Sequence, residues 1–233
     1  MPHAQFPITN SQSPIPNVQF PIPNPQFPIP NFMTQEHLFQ QLKHPNPHLR
    51  ERAISELAQT RDETTLPRLM DILKEEDVIY RRAAVKALGA IGSDAIPMLI
   101  EQLLNSDNVT IQSSCAKALT QIAVNYPDTP FPDEALQALK TALNDPNPVV
   151  GLTSVMALGE IGVPGLDILI ESLETTDNVA LAVAIVNALA TVGDSRGLDV
   201  LTAIINDESA DSYVRESAIS ALSRLELVRR NSR

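Results

Sequence analysis

From Met33 onward, apolar residues recur at helical spacing, and one pattern returns six times. The copies align on Leu57, Leu88, Leu119, Leu158, Leu189 and Leu222, at steps of 31, 31, 39, 31 and 33 residues. Eight positions before each leucine (position −8) stand Leu49, Tyr80, Ile111, Val150, Leu181 and Val214. Position −4 holds Ala53, Ala84, Cys115, Ser154, Ile185 and Ala218, and position −3 holds Ile54, Val85, Ala116, Val155, Val186 and Ile219. These offsets share one stripe of an α-helix, so they predict a core-facing side.

Position −11 is always Asn or Asp: Asn46, Asp77, Asn108, Asn147, Asn178 and Asp211. A side-chain oxygen there can accept from first-turn N–H groups that lack a partner within the helix, so six N-caps are predicted. Pro47 and Pro148 follow directly, where a missing N–H costs nothing. Gly92, Gly162 and Gly193 stand four residues after the leucine and suit left-handed helix ends. Shorter helices are predicted from His37 to Lys43, Leu66 to Leu73, Ile96 to Leu104, Ala135 to Leu143, Leu166 to Leu173 and Leu198 to Ile205, with Pro67 and Pro97 in first turns. The fold class is therefore all-α, a solenoid of about six helix pairs over residues 33–233. The 39-residue step carries an insertion, Asn125 to Pro132, expected to protrude as a proline-stiffened loop.

Residues 1–32 break this pattern. They hold nine of the nineteen prolines and no Asp, Glu, Lys or Arg, with Pro-Ile units, preceded by Phe or once by Ser13, returning every seven residues. Proline fixes φ and removes donors, so a disordered or polyproline II tail is expected, either idle or a ligand for a groove-type domain. A translated tandem repeat of seven nucleotides would give the same period, with Met33 as the true start.

All charge lies in the remainder, and the net charge is −11. That balance argues against nucleic-acid partners, which need a surplus of Lys and Arg. One cysteine excludes a disulfide within the chain and suits a reducing, cytoplasmic setting. No membrane span or secretory signal is expected.

The clearest copy, Asp77-Val78-Ile79-Tyr80-Arg81-Arg82-Ala83-Ala84-Val85-Lys86-Ala87-Leu88-Gly89, resembles a HEAT repeat. The short period, with Ala87-Leu88-Gly89-Ala90-Ile91-Gly92 and Ala157-Leu158-Gly159-Glu160-Ile161-Gly162, is similar to the phycobilisome-lyase subclass. The resemblance covers Met33 to Val228. It implies a cyanobacterial protein-binding scaffold concerned with attaching phycobilins to phycobiliproteins or removing them. Implied partners are a phycobiliprotein subunit and a second HEAT-repeat lyase-like subunit, and the implied cofactor is a transiently bound phycobilin. The same subclass also implies an alternative, a non-enzymatic partner that stabilises an A-type iron–sulfur scaffold protein.

The sequence holds no self-contained catalytic constellation. Cys115 occupies a position filled elsewhere by alanine, no histidine follows His48, and no glycine-rich phosphate loop, HExxH or CxxC is present. Any lyase-type activity would thus need a partner subunit, and no metal site is expected. Variation among repeats is more informative. Arg50, Arg81 and Arg215 stand at position −7, whereas the middle copies carry Gln112, Gly151 and Ala182, leaving residues 148–156 and 179–187 uncharged. Helices apolar all round are either doubly buried or meet a partner. On the helical wheel Leu152, Thr153, Met156, Val183 and Asn187 leave the core stripe. They are the expected centre of a partner-binding groove, flanked by Arg81, Arg82 and Lys86 on one side and by Arg215 and Arg224 on the other.

Overall fold

A computed structural model describes residues 34–231, so the readings made of residues 1–32 and of Met33 lie outside the described residues. Among the described residues there are twelve α-helices: α1 (Gln35–Gln41), α2 (Pro47–Thr60), α3 (Thr65–Ile72), α4 (Val78–Ile91), α5 (Ile96–Asn105), α6 (Val109–Asn125), α7 (Asp133–Leu143), α8 (Pro148–Ile161), α9 (Leu166–Thr175), α10 (Val179–Val192), α11 (Ser195–Asn206) and α12 (Ser212–Asn231). Each odd-numbered helix packs on the even-numbered helix that follows it, and each even-numbered helix packs on the next even one. The result is a solenoid of six helix pairs in two layers.

Local chemistry starts every even-numbered helix. The Asn46 carboxamide oxygen accepts from the His48 N–H at 2.9 Å, and Asp77 accepts from Ile79 and Tyr80 at 2.8 and 3.2 Å. Asn108, Asn147, Asn178 and Asp211 repeat the bond at the later repeats. Each cap contributes about 1 kcal/mol.

The leucine column then joins the layers. Leu57, Leu88, Leu119, Leu158 and Leu189 are 0% exposed, in one core cluster with buried leucines of the odd-numbered helices such as Leu69, Leu99 and Leu139. Burial of each stabilises the fold by about 1.5–3 kcal/mol. The whole −4 column is likewise 0% exposed, with Ile185 its one large member. Ser154 is tolerated there because its hydroxyl donates to the Val150 carbonyl at 2.9 Å.

Three expectations are corrected. Gly193 does end its helix in the left-handed region, but Gly92 and Gly162 combine φ of 84° and 86° with ψ of −142° and −137°. That extended, positive-φ geometry is open essentially to glycine alone, and it throws the chain into the 3₁₀ turns Gly92–Ala95 and Val163–Gly165 ahead of α5 and α9. The insertion is exposed over residues 125–130, as expected, but it is anchored to the solenoid at Tyr126 and Phe131 rather than standing free. The Tyr126 hydroxyl donates to the Ala90 carbonyl at 2.5 Å, and Phe131 is half-buried against the core. Finally, Ile219 is 50% exposed although position −3 is buried in the five earlier repeats.

The stretch Val78–Asn105 is apolar and long enough to match a membrane span by composition. The Gly92–Ala95 turn breaks it into two helices, and more than half of its most apolar eighteen residues are buried inside the solenoid.

Candidate functional site

A groove of about 610 Å³ crosses α4, α6 and α8 on the exposed side of the even-numbered layer. Side chains at positions −6, −5 and −2 supply much of its lining. In α4 these include Arg82 and Lys86, in α6 Ser113, Ser114 and Lys117, and in α8 Thr153 and Met156. Short side chains on α6 make the middle of the groove deep. The hydroxyls of Ser113, Ser114 and Thr153 donate to the carbonyls of Val109, Thr110 and Val149 at 2.7, 2.6 and 2.7 Å. Their protons are used within their own helices, so the floor is largely apolar in character. Val149 and Met156, 52% and 67% exposed, offer hydrophobic surface along one wall.

The groove is cationic although the chain is strongly acidic. Arg81, Arg82, Lys86 and Lys117 line it, against the single carboxylate of Glu160. Lys86 pairs with Glu51 of α2. The Arg81 guanidinium is committed to the Glu75 and Glu76 carbonyls at 2.5 and 3.2 Å, which closes the turn after α3. Arg50 does the same with the His44 and Pro45 carbonyls at 2.6 and 2.9 Å. Position −7 is thus a turn-closing position. Gln112 substitutes by donating to the Leu103 carbonyl at 3.2 Å, and Gly151 lets the Leu143 carbonyl approach to where a Cβ would stand 2.8 Å away. The loss of arginine in the middle repeats therefore changes how the turns close.

Of the residues singled out by sequence, the groove brings together Arg81, Arg82, Lys86, Thr153 and Met156. Leu152 instead lines a separate depression beside Leu181. Val183 is half-buried against the core. Asn187 donates to the Val183 carbonyl at 2.8 Å and accepts from Arg224, so these two are spent on each other. Arg215 lies near the Asp207 carboxylate. The groove is centred on α6, one repeat before the position expected from charge alone. Ser113, Ser114 and Lys117 were missed, and their only signal was register: Lys117 occupies the same −2 position as Lys86 and Met156.

Cys115 faces the core, 0% exposed, and burial pushes its thiol up to about 12. It is not an available thiolate at neutral pH. Among the described residues no group of three His, Cys, Asp or Glu side chains is placed to hold a metal ion.

The sequence matches the family described as HEAT repeats over three overlapping stretches, residues 36–120, 96–185 and 135–223. The chain belongs to the HEAT-repeat family. Its relatives include the uncharacterized phycocyanin operon protein Z of Pseudanabaena tenuis, 59% identical over 196 residues, 84% of this chain and 97% of that protein. The bilin biosynthesis protein CpeZ of a Synechococcus species is 36% identical over 165 residues, 68% of this chain and 88% of that protein. The complex of CpcE and CpcF of phycocyanin lyase from a Nostoc species is similar over 66% of this chain and 96% of that chain, at 20% identity and a TM-score of 0.45.

Proposed function

We propose that this HEAT-repeat protein is a scaffold for attaching phycobilins to phycobiliproteins or removing them, with the α4–α6–α8 groove as its working surface. The observation that carries the reading is the relationship to phycocyanin operon protein Z and CpeZ along nearly the whole of those proteins. The groove's chemistry supports it. A phycobilin is an apolar, open-chain tetrapyrrole with two propionates. Its ring system suits Val149 and Met156, and its carboxylates suit charge-assisted bonds to Arg82 and Lys117. Arg81 and Lys86, already engaged with carbonyls and with Glu51, shape that wall and add positive potential.

The role proposed is binding and presentation. With Cys115 sealed in the core, bond-making groups come from a phycobiliprotein subunit or a second HEAT-repeat lyase-like subunit. Titrating the full-length protein with phycocyanobilin tests this. A saturable shift of the visible band is expected, and the double variant Arg82→Glu/Lys117→Glu should weaken it by about tenfold or more. An unshifted spectrum, together with co-purification of an iron–sulfur scaffold protein from the native cell, would replace this reading with the alternative one.

A further inference from the structure

The two ends of the solenoid are finished differently. Contacts between repeats show which offsets point forward to the next repeat. At +4, Arg61 pairs at 2.7 Å with Asp94 in the turn that leaves α4, and at −7, Gln112 reaches Asp145 of the next repeat at 3.4 Å. At −3 and 0, side chains are buried in the five repeats that have a successor. Offsets −7, −3, 0 and +4 share one stripe of the helix that faces the next repeat, although at −7 the side chain also reaches its own turn, as Arg50 and Arg81 do. In α12 that stripe is Arg215, Ile219, Leu222 and Glu226. No described repeat follows it, and Ile219 is 50% exposed while Leu222 is only half-buried.

The first repeat presents the opposite face. Its position −1 is Glu56, paired with Arg52 at 2.7 Å, where the later repeats have Ala87, Ala118, Ala157, Ala188 and Ala221. A carboxylate there is a polar cap, which disfavours stacking one copy's first repeat on another copy's last.

The α12 stripe is self-complementary. When two copies of α12 cross antiparallel about a two-fold axis between Ser220 and Ala221, Ile219 of each faces Leu222 of the other. The same register sets Arg215 of each opposite Glu226 of the other. Apolar pairs fill the centre and opposite charges flank them on both sides, the arrangement an isologous dimer requires. We propose that the α12 end face is a homodimerisation surface, occupied by α12 of a second copy of this chain. The inference is independent of the phycobilin reading.

Sedimentation of the full chain tests it. A concentration-dependent species of twice 25.4 kDa is expected. Ile219→Glu should shift the dimer dissociation constant by about a hundredfold or more without lowering the melting temperature, since Ile219 is a surface residue in the monomer. Arg215→Glu and Glu226→Arg should each weaken the dimer by about tenfold, and combining them should restore it. A wild-type chain that stays monomeric at high micromolar concentration overturns the proposal. So does a dimer indifferent to Ile219→Glu, or a double charge swap that fails to rescue a folded protein.

Discussion

Gly159 of α8 lies so close to Ala188 of α10 that a Cβ on the glycine would stand 2.9 Å from the alanine Cβ. Gly89 of α4 makes the same approach to Gln121 of α6, at 2.4 Å. Even-numbered helices thus stack backbone against side chain at the position just after the column leucine. Gly159→Val should destabilise the protein by about 1–3 kcal/mol through overpacking, despite valine's better helix propensity. Urea unfolding followed by circular dichroism measures this, and an unchanged midpoint would mean the stack can slide apart freely.

The Asx caps make a second, milder prediction. Asn178 accepts from both the Ala180 and Leu181 N–H groups, at 3.0 and 3.2 Å. Asn178→Ala should cost about 1 kcal/mol, whereas Asn178→Asp should keep most of the stability because the carboxylate accepts the same bonds. Equal losses in both variants would show that the amide group matters for something other than capping.

Met156 and Val183 separate surface from packing. Met156 is 67% exposed in the groove, so Met156→Glu should leave the unfolding midpoint within about 0.5 kcal/mol of the parent while weakening bilin uptake. Val183 is half-buried against the core, and Val183→Glu should destabilise by more than about 1 kcal/mol. Thermal melts of the two variants side by side give the answer.

Cys115 should resist thiol reagents until the protein unfolds. Its folded pKa of about 12 lies above the ordinary thiol value of about 8.5, so the neutral form is favoured by folding. The stability this contributes is fully present below about pH 8.5 and is lost as pH rises towards 12. Alkylation followed by mass spectrometry at pH 8, with and without denaturant, checks the burial directly. Cys115→Ala should remove the thiol's share of the alkaline pH dependence and leave that of Tyr80, whose hydroxyl burial also pushes up.

What could be read from the residues alone was whatever depends on neighbours in sequence. Asn46 through Asp211 are caps because a short oxygen-bearing side chain meets N–H groups two and three residues ahead, a strictly local geometry. The buried −4 column followed from helical period in the same way. The site was less legible, because a groove is made by differences in side-chain length between helices 31 and 39 residues apart. Charge counting drew attention to α8, which does line the groove, and to α10, which is packed between α8 and α12. It passed over α6, where Ser113 and Ser114 simply stop short. Arg81 carried a further ambiguity: one guanidinium both lines the groove and holds the turn after α3, and only the Glu75 and Glu76 carbonyls reveal the second task.

The six caps also govern how the molecule comes apart. Each helix pair begins from its own signal and touches only adjacent pairs, so the chain behaves as a zipper with no single keystone. Opening should start where a pair has one neighbour rather than two, and travel inward. At concentrations where the chain is monomeric, amides of α12 should exchange with deuterium well before those of α6 and α8, and anything gripping the middle helices would slow exchange there while leaving α12 to fray.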